Sequence, residues 1–307
     1  MSILSDWTET QINAFQKEKL VARHTLDTMD MFSDDALTEL LDRHPTEKLD
    51  VCMMPSKGEI YFRTGDFRRA DGKTLIELVK QGDIWINMRE ALNSHSDYKV
   101  IMDQLYGELT AATKAKFINP RGGILISSPA AKVPYHCDAT ETMLWHIRGE
   151  KEVYVYPNNQ DYLRDEEYED QITNQVNDYL TYTPEMDAAA RVHSLLPGEV
   201  ICWPFNTPHK VVNKSYCVSV TTEYTNLKSV FKNSVIYTNA FLRQKMGRNP
   251  SWYNSGFPER VIKAGAGQVL RRMKALKAPE NADMVSFRID KNVPGYIEFT
   301  QPFARNF

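Results

Sequence analysis

The sequence predicts a mainly β protein with flanking helices, its core a sandwich or jelly-roll barrel. Between about residues 117 and 224 the chain consists of short β-branched or aromatic runs separated by glycine and proline, which is typical of all-β domains. Before and after this stretch, apolar residues recur mainly with helical spacing. We therefore expect an N-terminal mixed α/β region (1–115), a β core (116–226) and a C-terminal helical region (227–307).

Local signals support this division of the chain. Ser33 is placed to cap a helix, and residues 73–81 show a second helical pattern that stops at Gly82. Residues 83–88 alternate like a short strand before the core begins. In the core, four runs predict strands, at 123–127, 151–156, 198–203 and 217–224.

Two further segments need their own interpretation. Residues 158–187 interrupt the predicted strands with nine acidic residues, one basic residue and several tyrosines, so they form either a functional lid or a surface insert. Residues 267–277 predict a helix that packs on the barrel or on a second subunit. The last residues, 284–307, look extended and aromatic.

Composition excludes several classes of protein. The 307 residues carry 37 Lys and Arg against 40 Asp and Glu, a net charge of -3, which argues against binding to nucleic acid or a membrane surface. No apolar run is long enough for a transmembrane helix, and the N-terminus lacks the pattern of a secretory signal. The four cysteines form no C-x-x-C pair, so we expect a reducing, cytoplasmic compartment.

Three residues predict a metal site. His136 and Asp138 are two apart at the entrance to a strand, so their side chains share one face. His209 lies just before another strand-like run and supplies a third ligand. Two histidines and one carboxylate on one face of an octahedral ion leave open positions, as in non-haem Fe(II) oxygenases. A second His-x-Asp, at His95, lies in a polar turn and lacks this context.

With these motifs the sequence resembles the JmjC-type and cupin-like 2-oxoglutarate oxygenases, particularly the asparaginyl hydroxylase of hypoxia-inducible factor. These enzymes share a double-stranded β-helix, an iron site of the form His-x-Asp…His, and a lysine that binds the far carboxylate of 2-oxoglutarate. Lys151, in Gly-Glu-Lys, follows His136 by fifteen positions, as in that hydroxylase. The distal motif Gly198-Glu-Val, with Pro204 and then His209 eleven residues after the glycine, also matches.

The match is incomplete at the cosubstrate. Where the hydroxylase has a threonine hydroxyl three residues before the first histidine, this chain has Val133. The missing hydroxyl is expected from Ser127, Thr142 or an upstream tyrosine. Other subfamilies bind 2-oxoglutarate with an arginine or lysine about ten residues beyond the distal histidine. That position is Ser219 here, which favours Lys151.

The resemblance implies an Fe(II)- and 2-oxoglutarate-dependent dioxygenase that hydroxylates a protein side chain or a small polar molecule. Iron is expected on His136, Asp138 and His209, and a homodimer through the C-terminal helices is one expectation for assembly. Two alternatives stay open: a metal-dependent cupin enzyme that uses no 2-oxoglutarate, and a non-catalytic cupin-like binding or regulatory protein.

Overall fold

The computed structural model describes residues 2–53, 63–82, 84–173, 180–276 and 284–307. Within them the α-helices are α1 Glu9–Ala14, α2 Asp34–Arg43, α3 Gly72–Gln81, α4 Ala91–Ser94, α5 Ser96–Thr113, α6 Asp165–Thr173, α7 Leu227–Met246 and α8 Phe257–Arg272. The strands are β1 Leu4–Ser5, β2 Leu20–His24, β3 Leu49–Met53, β4 Arg63–Arg69, β5 Ile84–Met88, β6 Ile118–Ser127, β7 Lys132–His136, β8 Glu141–Arg148, β9 Lys151–Val155, β10 Arg191–Leu195, β11 Glu199–Cys202, β12 His209–Asn213, β13 Cys217–Thr225, β14 Met284–Asp290 and β15 Ile297–Ala304.

The core is a jelly roll of two facing sheets, which confirms the predicted fold class. The large sheet has the order β1-β2-β11-β8-β13-β6-β5-β3-β4-β14-β15, and the small sheet has the order β10-β9-β12-β7. From β6 to β13 the chain crosses repeatedly between the two sheets. The apolar interior takes side chains from both, for example Leu144 and Ile201 from the large sheet and Val153 and Val211 from the small one.

The large sheet extends well beyond the central barrel. Strand β5 adds to β6, and β3, β4, β14 and β15 continue the sheet outward. The last two of these strands come from the C-terminal end of the chain, where the sequence looks extended, and β14 pairs in parallel with β4. All three predicted regions therefore contribute strands to one sheet. The boundaries at residues 115 and 226 stay a prediction.

Helix ends follow their local sequence signals. The Ser33 side chain accepts a hydrogen bond from the backbone of Ala36 and begins α2. Asp71 does the same for Thr74 at the start of α3, which ends immediately before Gly82. The predicted helix at 267–277 begins ten residues earlier, at Phe257, and ends at Arg272. Its last predicted residue, Lys277, lies outside the described residues.

The acidic insert packs on the outer face of the small sheet. Its Tyr168, Leu163 and Leu180 form an apolar cluster with Tyr135 and Tyr156, which come from the small sheet and the residue after it. Residues 174–179 lie outside the described part of the chain. The insert therefore covers the outside of the barrel, and its contacts with the loop before β12 and with Lys210 bring it close to His209.

The helices of the described residues include none with the length and apolar character that crossing a membrane requires.

Candidate metal centre and lysine cluster

The structure brings the three predicted ligands together. His136 ends β7, His209 begins β12, and these two residues are directly paired across the small sheet. Their ring centroids are 4.1 Å apart. Asp138 follows β7 and places its carboxylate oxygens 3.9 Å and 3.7 Å from the two Nε2 atoms. One ligand atom from each residue lies within 4.8 Å of the others, and we call this group the triad.

Backbone carbonyls orient both imidazoles of the triad. Nδ1 of His136 lies 2.8 Å from the carbonyl oxygen of Pro134, and Nδ1 of His209 lies 3.0 Å from that of Thr207. A carbonyl can only accept, so each Nδ1 carries the proton and each Nε2 keeps its lone pair for a ligand on the Asp138 side. Burial, and then the neighbouring His136, hold the pKa of His209 well below its usual range, so this ring is neutral. Neutral imidazole is the form that binds a metal.

Strand alternation explains why the triad forms. Tyr135 and Cys137 flank His136 and point to the opposite face, where both are buried in the apolar cluster beneath the insert. Cys137 therefore packs away from the ligands. On the triad side, the Trp203 ring lies 4.1 Å from the His209 ring, centroid to centroid. Trp145, by contrast, is a core residue that donates to Thr222.

The residues of the triad fit a divalent cation. Asp138 Oδ2 and Thr142 Oγ1 are buried and, among the described residues, have no hydrogen-bond partner. Buried polar atoms rarely stay unsatisfied, and a cation beside Asp138 would satisfy the carboxylate oxygen. The backbone carbonyl of Asp138 is held by the side chain of Asn206, at 2.7 Å. Asn206 accepts in turn from the hydroxyl of Tyr168 in the insert.

Lys151 lies at the other end of the same barrel face. Val155 pairs with His209, while Lys151 pairs with Asn213, so the lysine is four residues along β9 from the triad, roughly 13 Å. Its side chain is buried at 3% exposure, and Nζ donates to Ser219 Oγ at 3.0 Å. Among the described residues it forms no ion pair with a carboxylate, and burial lowers its pKa. A buried ammonium without a counter-ion fits an anionic ligand.

The two predicted hydroxyls lie at different ends of this face. Ser127 accepts from the Asn213 amide at 2.8 Å, so it belongs with Lys151. Thr142 is the second residue of β8, and its hydroxyl lies near the Asp138 carboxylate. Their assignment to cosubstrate binding stays a prediction. We call Lys151, Ser219, Asn213 and Ser127 the lysine cluster.

Sequence reasoning missed Ser219 as a neighbour of Lys151. Ser219 lies in β13, opposite His146 in β8, and its hydroxyl contacts both Lys151 and His146. Other subfamilies carry their arginine or lysine at the position of Ser219. A cation on that strand and the Lys151 ammonium beside Ser219 would therefore occupy the same place in the barrel. Alternation along β13 could have indicated that Ser219 faces inward.

Comparison with known proteins supports the fold. Neither a family model nor a curated protein matches the sequence. Among solved structures, an X-ray structure of YcfD from Escherichia coli matches with a TM-score of 0.51 and 15% identity, covering 90% of this chain and 69% of that one. This chain shares its fold. A second YcfD structure, described as a ribosomal oxygenase in complex with cobalt and 2-oxoglutarate, matches with a TM-score of 0.51 and 14% identity, covering 89% and 68%. The likeness to the hydroxylase of hypoxia-inducible factor stays a prediction.

Proposed function

We propose that this protein is an Fe(II)- and 2-oxoglutarate-dependent oxygenase. The observation that carries the proposal is the pairing of two features in one barrel: a His-Asp-His triad with its Nε2 atoms free, and a buried ammonium with no carboxylate partner among the described residues. Such a triad is the ligand set of non-haem Fe(II) oxygenases. The similarity to YcfD, a ribosomal oxygenase solved with cobalt and 2-oxoglutarate, supports the same chemistry.

Each part of the interior has a task in this function. His136, Asp138 and His209 would hold the iron, and Lys151 would pair with the far carboxylate of 2-oxoglutarate. When bound, iron and 2-oxoglutarate would supply the oxidising chemistry with O2 as the oxidant: one oxygen atom enters succinate as 2-oxoglutarate loses CO2, and the other becomes the hydroxyl on the substrate carbon. Apolar side chains between the triad and the lysine cluster exclude water from the barrel, among them Leu144, Val153, Val155 and Val211.

We infer that the substrate is a protein side chain or a small polar molecule. The description of YcfD as a ribosomal oxygenase favours the protein side chain. The four cysteines are buried thiols, which supports a reducing, cytoplasmic compartment.

We also propose a homodimer through the C-terminal helices. Helix α8 presents exposed apolar residues at intervals of about four, which form one stripe along it. The stripe consists of Phe257 (72% exposed), Val261 (46%), Ile262 (74%) and Val269 (54%), and it continues to Met273 (71%) directly after the helix. Light scattering of Val269→Glu tests the proposal, with Val100→Glu, an exposed valine of α5, as the control. Loss of the dimer in the first variant alone supports it, and a monomeric wild-type protein contradicts it.

The oxygenase is tested on protein purified without oxygen. We expect one iron per chain, and we expect release of labelled succinate from 2-oxoglutarate when candidate peptides and oxygen are added. Bound iron without any succinate release, over a broad panel of substrates, would favour a cupin enzyme that uses no 2-oxoglutarate. Failure to retain Fe(II) or Mn(II) would favour a non-catalytic binding protein.

A further inference from the structure

A continuous hydrogen-bonded chain runs from Lys151 across the barrel. Lys151 Nζ donates to Ser219 Oγ at 3.0 Å, and Ser219 Oγ lies 3.0 Å from His146 Nδ1. His146 Nε2 lies 2.9 Å from the carbonyl oxygen of Gly149. The chain therefore joins the small sheet, which carries Lys151, to the large sheet, which carries Ser219 and His146. Lys151 is 3% exposed, and the other two side chains are fully buried.

The partners fix the direction of every proton in this chain. The Gly149 carbonyl can only accept, so the proton of His146 is on Nε2. Burial, and then the charge of Lys151, lower the pKa of His146 to about 3, so the ring is neutral and Nδ1 is an acceptor. The hydroxyl proton of Ser219 must then point to His146. This leaves a lone pair of Ser219 Oγ for the ammonium of Lys151.

The turn that precedes Lys151 is part of the same unit. Gly149 has φ +87°, in the left-handed region that favours glycine, and a Cβ there would meet the carbonyl oxygen of Tyr216 at 2.2 Å. His146 therefore holds the carbonyl of this turn with Nε2 and the hydroxyl of Ser219 with Nδ1. One imidazole therefore helps to position both the backbone turn before Lys151 and the ammonium of its side chain.

We propose that His146 is a positioning residue that, through Ser219, holds the ammonium of Lys151 in place for the far carboxylate of 2-oxoglutarate. The inference rests on the proposed function. A lysine side chain has four rotatable bonds, and ordering it on binding an anion costs conformational entropy. The hydrogen-bonded chain orders the lysine side chain in advance. Removing the chain therefore weakens the binding of 2-oxoglutarate and leaves the triad intact.

Two substitutions at His146 separate its two contacts. In His146→Asn the amide oxygen takes the place of Nδ1 and still accepts from Ser219. In His146→Gln the amide nitrogen takes the place of Nε2 and still donates to Gly149. His146→Leu removes both contacts, and Ser219→Ala removes the middle of the chain at little change in volume.

The experiment measures binding of 2-oxoglutarate to Mn(II)-loaded protein by calorimetry, without turnover, together with Mn(II) affinity. We expect His146→Leu, His146→Gln and Ser219→Ala to bind 2-oxoglutarate about 10-fold more weakly, as for the loss of one hydrogen bond. His146→Asn should stay within about threefold of wild type, and Mn(II) affinity should not change in any variant.

The outcomes distinguish the two proposals. Wild-type protein that binds Mn(II) but no 2-oxoglutarate contradicts the proposed function itself. If wild-type protein binds 2-oxoglutarate and the affinity is unchanged in Ser219→Ala and His146→Leu, the role of His146 is overturned and the proposed function is not. Should the leucine variant fail to fold, nitrogen-15 spectra of histidine-labelled wild type decide: a proton on Nε2 and a bare Nδ1 support the chain, and a proton on Nδ1 contradicts it.

Discussion

The two ends of the barrel interior differ in whether their polar atoms have hydrogen-bond partners. At the triad, polar atoms are left without partners among the described residues, as Asp138 Oδ2 and Thr142 Oγ1 show, and the Asp138 side chain is 25% exposed. In the lysine cluster the polar side chains are buried and bonded to one another. The triad thus keeps polar atoms available for a further ligand, while the lysine cluster is closed and ordered in advance.

Under the proposed function, this difference means that metal binding and cosubstrate binding would depend on separate groups. The triad is oriented by backbone carbonyls of its own loops, and the lysine cluster by side chains of both sheets. They lie four residues apart along β9, a Cα spacing of roughly 13 Å, with apolar side chains between them. Substitutions at the two ends should therefore have separable effects, and the predictions below test that separation.

The largest effect is expected at the triad itself. Asp138→Ala removes the carboxylate that lies between the two histidines, so metal affinity should fall by at least about 100-fold, and succinate release should stop. Metal analysis after dialysis measures the loss. His193→Gln, at a partly buried histidine outside the triad, is the control and should retain metal. Full metal content in Asp138→Ala would remove this residue from the ligand set.

At the lysine cluster, Lys151→Met should separate affinity from stability. Affinity for 2-oxoglutarate should fall about 100-fold, because a charge-assisted contact is lost, while metal affinity stays unchanged. The ligand-free protein should melt at the same or a higher temperature, since a buried ammonium without a carboxylate partner is replaced by an apolar side chain. Lys214→Met, at an exposed lysine between β12 and β13, is the control. Equal 2-oxoglutarate affinity in both variants would contradict the role of Lys151.

A third prediction concerns the strand that leads away from the triad. Glu141 is 5% exposed, accepts from Asn226, and has its pKa raised to about 7, chiefly by burial. The folded protein therefore binds a proton that the unfolded chain releases near pH 4.5, and the free energy of unfolding should fall as pH rises from 4.5 to 7.

Glu141→Gln keeps the acceptor for Asn226 and removes this titration. At pH 8 the variant should be more stable than wild type by about 3 kcal/mol, and near pH 4 the two should be equal. Urea unfolding at several pH values measures the difference. If the free energy of unfolding depends on pH in the same way in the variant and the wild type, Glu141 does not cause the loss of stability at high pH.

What the sequence predicts well is local. The spacing of His136 and Asp138 and the strand alternation around them place the triad and send Cys137 to the other face. The partners of Lys151 could not be predicted in the same way. Ser219 meets His146 only through the register of two strands that are about seventy residues apart in sequence, and no local pattern specifies that register.

Long-range pairing limits the prediction elsewhere too. Residues 284–304 look extended in the sequence, but their pairing with β4, more than two hundred residues earlier, has no local signal. In the helix predicted at 267–277, Leu276 is buried against α7, whereas Val269 and Met273 are exposed. Gly267 makes the close contact between α8 and α7. A glycine adds nothing to a hydrophobic pattern, so the sequence could not predict this contact between the two helices.

The smallest effect should come from the insert, whose Tyr168 acts on the triad through Asn206. The Tyr168 hydroxyl donates to the amide oxygen of Asn206, and this orientation directs the amide nitrogen to the carbonyl of Asp138. In Tyr168→Phe that amide is free to turn, so metal affinity should weaken about threefold, with 2-oxoglutarate affinity unchanged. Tyr162→Phe, in the same insert, is the matched control. If Tyr168→Phe lowers the affinity for 2-oxoglutarate more than the affinity for metal, the triad and the lysine cluster are coupled through the insert, contrary to the separation inferred above.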